Sequence, residues 1–335
     1  MKQDMPDVSF IIAAYNAAAT LGKAIDSALA QRGVTVEVIV ADDCSADETR
    51  AIAESYADRN VRLIALARNG GPSAARNAAI SAATGRWLAV LDSDDTVDPD
   101  RLRRMISRAE DAGAEIAVDN LRVIRTDGTP AETMFAEDAL AQMPTLTLSA
   151  FIRSNALFQT THNFGYLKPI FQRAFIESHA LRFDESLKIG EDYLYLASAM
   201  ALGGRCVFEP LAGYDYNIRE GSISRVLSLH HIDAMIEGDK TFLRNHTLDA
   251  EAAAAQDFRA KSLLRGRAFL VLVQNIKDRS ILGTIRTAWG TPSAVGHLSM
   301  PIAARANRVI ASLRKLIGPQ ADLTAIDGTT RSRKG

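Results

Sequence analysis

Trp87-Leu88-Ala89-Val90-Leu91-Asp92-Ser93-Asp94-Asp95 decides the fold. Its apolar half shows no alternation, which is the pattern of a strand buried on both faces, as in a parallel sheet covered by helices. Its acidic half stands where the carboxyl end of such a strand opens, and open α/β sheets bind ligands outside those ends. Asp98-Pro99-Asp100 then turns the chain into a helix over residues 99–112. Carboxylates packed this closely repel one another, and a divalent cation is the natural compensation. Hard oxygen ligands favour Mg2+ or Mn2+, with water and a substrate's phosphates completing the shell. The bland alternative is a solvated acidic loop that caps the following helix.

Outward from this stretch, strand-like and helix-like segments alternate. Val8-Ser9-Phe10-Ile11-Ile12-Ala13 and Val36-Glu37-Val38-Ile39-Val40-Ala41 are short apolar or β-branched runs, and residues 61–66 form a third. Helices are predicted over 20–31 and 72–83, and another strand over 115–118. Strands separated by helical patterns imply right-handed crossovers and an α/β fold with a mainly parallel sheet. Residues 126–159 are irregular, with one short helix expected over 148–154. Regular structure is expected to resume over 166–171, with helices over 173–178 and 193–202 and strands over 205–209 and 214–217.

From residue 227 the pattern is helical. Over 301–317, Val309, Ile310, Leu313, Leu316 and Ile317 share one helical face. Arg305, Arg308, Arg314 and Lys315 lie on the others, without an acid in the stretch. Such a helix suits a membrane surface or, equally, packing on its own domain. The polar, basic residues 329–335 read as a disordered tail.

The 335 residues, 47% of them hydrophobic, can bury a substantial core. A net charge of -1 gives no global signature of nucleic-acid binding. The N-terminus carries no signal-peptide pattern, and no apolar run is long enough to span a bilayer. Cys44 and Cys206 are too few for a disulfide framework or a zinc cluster. A soluble protein facing the cytoplasm is the expectation.

Several polar clusters fall at predicted strand ends: Ala14-Tyr15-Asn16 after the first, Asp42-Asp43 at the second, Asp92 to Asp95 after the fourth. In a doubly wound sheet these ends form one rim. Tyr15 can stack on a planar base, and Asp42 or Asp43 can accept a base N–H; either aspartate also reads as a helix cap. Gly70-Gly71-Pro72 opens a helix that carries Arg76 one turn inside, a start suited to phosphates or to a plain tight turn. Neither a dinucleotide-binding glycine motif nor a Walker A loop is present.

These motifs, with Val40-Ala41-Asp42-Asp43-Cys44-Ser45-Ala46-Asp47 and Gly70-Gly71-Pro72-Ser73-Ala74-Ala75-Arg76-Asn77, resemble in order those of the GT-A inverting glycosyltransferases of family 2, over about residues 8–220. The resemblance implies a nucleotide-diphosphate-sugar donor, with Tyr15 and Asp43 at the base and Asp92 on the nucleotide. It implies metal binding by Asp94, with Asp95 sharing that role or that of Asp92. Ala14 and Arg76 join the donor site. Gly190-Glu191-Asp192 is similar to the family's Glu-Asp pair, with Asp192 as the base that takes the acceptor's proton; alone, Asp192 also reads as a helix N-cap. Arg219 and Ser222 match a segment that binds the diphosphate, although a surface turn explains them too. Cys44 stands where many relatives have glycine, which suits it only if the backbone there avoids positive φ.

Asp119-Asn120-Leu121, the stretch from Asn163 to Phe171 and the stretch from Arg219 to Arg225 resemble succinoglycan-type exopolysaccharide glucosyltransferases. That implies UDP-glucose as donor and a polyprenyl-diphosphate-linked oligosaccharide as acceptor, with peripheral contact at the cytoplasmic face of the inner membrane. The expected organisation is a glycosyltransferase domain over 1–225, with a nucleotide-sugar half over 1–120 and an acceptor half over 121–225. A helical region over 226–335 follows. A sugar nucleotidyltransferase would carry a Gly-rich basic loop after the first strand, and residues 13–19 have none. A noncatalytic nucleotide-sugar-binding subunit is the alternative from another class.

Overall fold

The computed structural model describes residues 5–125, 127, 129–159, 162–187, 189–218 and 227–296. Four strands, β1 (Val8–Ala14), β2 (Val36–Asp42), β3 (Val61–Ala65) and β4 (Trp87–Val90), lie parallel in the order β3-β2-β1-β4. Crossovers α1 (Leu21–Leu29), α2 (Thr49–Glu54) and α3 (Pro72–Ala82) connect them in sequence. Every residue of β4 is buried, as its unbroken apolar run requires of a central strand.

Beyond β4 the chain forms β5 (Thr96–Val97), α4 (Arg101–Ala112), β6 (Ile116–Arg125), β7 (Glu132–Thr133), α5 (Glu137–Ala141), β8 (Thr145–Leu146) and α6 (Leu148–Ser154). There follow β9 (Ile170–Gln172), α7 (Arg173–Ser178), α8 (Glu191–Ala201) and β10 (Cys206–Ile218). The sheet continues β4-β9-β6-β10-β5, with β9 antiparallel to both neighbours and β10 parallel to β6. The architecture is the expected α/β fold, here with a mixed, mostly parallel sheet surrounded by helices.

Where structure was expected to resume, over 166–171, the chain forms a 3-10 turn at Phe164–Tyr166 and then the short β9, since Pro169 lacks a donor for the ladder. One pair of expected elements differs. The strands predicted over 205–209 and 214–217 are one bent strand, β10, whose register against β6 shifts between Glu209 and Ala212 and again before Tyr214. Pro210 and Gly213 are accommodated in that irregularity instead of ending the strand. Gly213 is required there, since a Cβ would stand 2.6 Å from Asp119 Oδ2 and 2.7 Å from Arg101 Cγ.

The C-terminal helices are α9 (Leu229–Asn245), α10 (Ala250–Lys277), α11 (Ile281–Gly290) and α12 (Pro292–Val295). Contacts divide the chain into two units, Met1–Arg267 and Ala268–Gly335. Within the first, Arg259 joins the helical segment to the sheet layer. It pairs with Asp239 at 3.0 Å, donates to the Asn155 carbonyl at 2.6 Å and lies over the Tyr193 ring. Among the described residues no helix is long and apolar enough to cross a membrane. The helix expected over 301–317 and the tail over 329–335 lie outside the described residues.

Candidate active site

The carboxyl ends of β1, β2 and β4 form one rim, as the alternation of strands and helices implies. Two loops on it are stitched together. The Asn16 N–H donates to Ser45 Oγ at 2.9 Å, and Asn16 Oδ1 accepts from the Ala46 N–H at 2.9 Å. The Ala17 N–H donates to Thr49 Oγ1 at 2.7 Å. Ala14 is buried beside them, and Tyr15, 55% exposed, stands open on the rim.

The paired aspartates have separate tasks. Asp42 is fully buried and pairs with Arg50 at 3.2 Å. Asp43 is also buried; its two oxygens accept the Gly70 N–H at 2.7 Å and the Gly71 N–H at 2.8 Å. Neither caps α2, whose N-cap residue is Glu48. Asp43 therefore braces the turn into α3, where Gly71 takes φ 88 and Pro72 opens the helix. Cys44 has φ 61, so the positive φ that suits glycine is present, and the cysteine bears its strain.

Past that turn, α3 aims Arg76 into the cleft from a buried position. Its Nη2 donates to Asp92 Oδ1 at 2.9 Å, and its Nη1 to Glu191 Oε1 at 2.9 Å, with Asp192 Oδ1 at 3.2 Å. From the segment before β9, Lys168 Nζ lies 2.7 Å from Asp92 Oδ2 and 2.9 Å from Asp192 Oδ2. Two cations thus stand between the end of β4 and the first turn of α8. Their side chains are 6% and 8% exposed, whereas Asp92 and Asp192 are 25% and 26% exposed, so the carboxylates form the face that meets solvent. Gly190, with φ 88, is the N-cap of α8; Asp192 sits inside the first turn and caps nothing.

The electrostatics follow from that arrangement. Burial pushes the Asp92 carboxyl up, but Lys168 and Arg76 more than offset it and hold it well below the usual carboxylate range. Burial, then the Asp192 charge, raises Glu191 against the opposing pull of Arg76. Asp95 is buried, then repelled by Asp92 and Asp94, and its carboxyl is pushed up to about 8. Its Oδ1 accepts the Asn217 N–H at 2.7 Å, and its Oδ2 is buried without a hydrogen-bond partner among the described residues. A buried, orphaned carboxylate oxygen fits a cation ligand. Asp94 is adjacent, its carbonyl accepting Asn217 Nδ2 at 3.0 Å. Among the described residues no group of three or more His, Cys, Asp or Glu side chains is assembled for a metal. These carboxylates could supply only part of a shell, the arrangement usual for Mg2+ beside phosphates.

A second layer fixes the first. The Asp92 N–H donates to the buried Tyr214 hydroxyl at 3.1 Å. Arg101, fully buried, forms a fork with Asp119 at 2.8 Å on both arms and donates to the Lys168 carbonyl at 2.6 Å. Its guanidinium lies 5.2 Å from the centroid of the Tyr214 ring.

The structure thus brings Arg76, Asp92, Glu191 and Asp192 together, sets Asp94 and Asp95 beside them, and places Ala14, Tyr15 and Asp43 on the same rim. Arg219 and Ser222 lie outside the described residues. Lys168, Arg101 and Tyr214 were not expected as site residues. The one available signal was a lone cation, Lys168, between Leu167 and Pro169 at the edge of an apolar run.

Comparisons with known proteins agree with this architecture. The model of Glycosyl transferase family 2 matches residues 9–175. The chain is 62% identical over 307 residues to the succinoglycan biosynthesis protein ExoO of Rhizobium meliloti (strain 1021), covering 92% of this chain and 88% of that protein. It is 35% identical to ExoU of the same strain, over 74% of this chain and 73% of the relative. Among solved structures, S. aureus TarS 1-349 in complex with UDP-GlcNAc superposes with a TM-score of 0.63 at 22% identity, over 86% of this chain and 81% of that one. The mannosyltransferase PcManGT from Pyrobaculum calidifontis, in complex with GDP-Man and Mn2+, gives a TM-score of 0.56 at 17% identity, over 94% and 81%. With a relative this similar along nearly its whole length, and with this sheet, the chain belongs to glycosyl transferase family 2.

Proposed function

We propose that this glycosyltransferase moves glucose, with inversion, from UDP-glucose to a polyprenyl-diphosphate-linked oligosaccharide during assembly of a succinoglycan-like exopolysaccharide. The observation that carries the reading is Asp192 facing Asp92 across Arg76 and Lys168 at 2.7–3.2 Å. In this reading Asp92 and Tyr15 face the nucleotide, and Asp192 accepts the proton of the acceptor hydroxyl as its oxygen attacks the anomeric carbon. The bond from that carbon to the diphosphate breaks, and UDP leaves with the electron pair. Arg76 and Lys168 stand where they can neutralise it, and Glu191 holds Arg76 in place. Arg219 and Ser222 are assigned to the diphosphate on sequence alone. Asp94 and Asp95 would hold Mg2+ or Mn2+, which when bound supplies further charge stabilisation to the leaving group. The names of ExoO and ExoU support the exopolysaccharide setting.

Residues 1–225 hold the transfer chemistry in this reading, and residues 226–335 bring it to the acceptor's lipid surface on the cytoplasmic side. In support, Ile281, Leu282, Ile285 and Trp289 of α11 are exposed, Trp289 at 86%. Residues 279–321 contain no Asp or Glu and carry Arg279, Arg286, Arg305, Arg308, Arg314 and Lys315. Apolar side chains with a cationic surround complement an anionic lipid interface.

The test is release of UDP from UDP-glucose with Mn2+ or Mg2+, comparing the wild type with Asp192→Ala. Loss of a general base lowers turnover by about 100-fold or more, while UDP binding persists. A noncatalytic binder would hold UDP-glucose without turnover, and the two proteins would then be indistinguishable.

A further inference from the structure

Both oxygens of Asp192 face cations, Oδ1 toward Arg76 at 3.2 Å and Oδ2 toward Lys168 at 2.9 Å. A carboxylate so engaged is poorly placed to take a proton from an alcohol. The two cations are not equally fixed. Arg76 is pinned by Asp92, by Glu191 and by the Phe183 ring, 5.3 Å from its guanidinium carbon. Its planar fork meets those partners in fixed directions. Lys168 is held differently. Its backbone is anchored through the carbonyl that accepts from Arg101. Its ammonium, on a flexible four-carbon stem, reaches two carboxylates, Asp92 and Asp192. The head can therefore change partners while the backbone stays in place.

We propose that Lys168 is a positioning residue that couples donor binding to release of the base: a diphosphate entering the cleft competes with Asp192 for the Lys168 ammonium and leaves Asp192 Oδ2 facing the acceptor. The inference rests on the reading of the cleft as a nucleotide-diphosphate-sugar site. A diphosphate carries more charge than a carboxylate and presents several acceptor oxygens, so it is the stronger partner for an ammonium. Because the competition is reciprocal, whatever weakens the hold of Asp192 on Lys168 must strengthen the diphosphate's. An ordered sequence follows, with the donor seated before the acceptor can be deprotonated.

The experiment is calorimetric binding of uridine, UDP and inorganic pyrophosphate, each with Mn2+ at one ionic strength. The proteins are the wild type, Asp192→Asn, Lys168→Met, Lys168→Arg and the double variant Asp192→Asn/Lys168→Met. Asp192→Asn should bind UDP and pyrophosphate about tenfold more tightly than wild type, the scale of a close charge pair, with uridine unchanged. Lys168→Met should weaken both anions about tenfold, and in its background Asp192→Asn should gain less than half as much in logarithmic affinity. Lys168→Arg should keep UDP affinity within about threefold of wild type. A residue that merely supported the fold would not make the Asn variant a tighter binder. Equal or weaker binding of UDP and pyrophosphate by Asp192→Asn overturns the proposal, even if Lys168→Met fails to fold. So does an anion affinity indifferent to Lys168, or a wild type that binds neither anion. If pyrophosphate responds as described and UDP does not bind, the coupling stands and the nucleotide-donor reading falls.

Discussion

The Arg101–Asp119 pair offers a severe test of how the site is supported. Both side chains are essentially excluded from solvent, at 0% and 1% exposure, and two arms of 2.8 Å join them. Burial raises the Asp119 carboxyl, and Arg101 counters only part of that rise. The fork thus compensates for desolvation more than it adds net stability. Asp119→Ala removes the compensation but leaves the guanidinium buried beside Tyr214 and the Lys168 carbonyl, and should cost about 3–5 kcal/mol. Against a total stability of about 5–15 kcal/mol, that is a large fraction. Urea unfolding followed by circular dichroism should show the midpoint falling by about 1 M or more. Arg101→Met/Asp119→Leu replaces both charges by apolar groups and should be more stable than Asp119→Ala. It should nevertheless bind UDP poorly, since the Lys168 carbonyl then loses the Arg101 donor. A midpoint for Asp119→Ala within experimental error of wild type would refute this reasoning, as would a double variant less stable than Asp119→Ala.

Two further outcomes follow from local geometry. Cys44→Gly should raise stability by about 0.5–1 kcal/mol, visible as a higher thermal midpoint, because glycine accepts φ 61 without a Cβ penalty. Glu37→Gln should lower stability near neutral pH by about 1–3 kcal/mol, since the carboxylate accepts from Ser9 Oγ, the Thr84 N–H and hydroxyl, and the Gly85 N–H. Burial raises the Glu37 carboxyl, but these donors outweigh it and leave it below its ordinary value. Its contribution is therefore present above the unfolded-state value of about 4.3 and is lost as pH falls through the lower folded value. The gap between Glu37→Gln and wild type in denaturant midpoints should close over that acidic window; a gap constant with pH would contradict the assignment.

The parallel half of the sheet was legible because its strands are unbroken apolar runs, and Asp92 through Asp95 could be placed on its rim because strand polarity dictates which ends meet. The other half was less so. No local pattern announces that β9 enters antiparallel between β4 and β6, since that placement depends on partners distant in sequence. Pro210 and Gly213 are ordinary strand breakers by composition, and β10 stays continuous because its register shifts against β6 take up both, with Gly213 fitting against Asp119 and Arg101. Lys168 was hidden for a related reason. A cation next to an apolar run usually marks a surface end, and its burial becomes intelligible only once two carboxylates from β4 and α8 are seen to share it.

That sharing also changes how the acidic motif must be read. By sequence, one cation was to compensate Asp92, Asp94 and Asp95 together. In the structure Asp92 is already neutralised by Arg76 and Lys168, which keep it ionised despite burial. Asp95, three residues on, forms no such ion pair among the described residues, and its carboxyl rises to about 8 under burial and the charges of Asp92 and Asp94, against a smaller opposing pull from Lys168. One short acidic run therefore contains two electrostatic regimes. The member nearest the strand is a fixed anion that orients side-chain cations toward Asp192. The member deepest in the turn is a carboxyl whose ionised form requires positive charge from elsewhere.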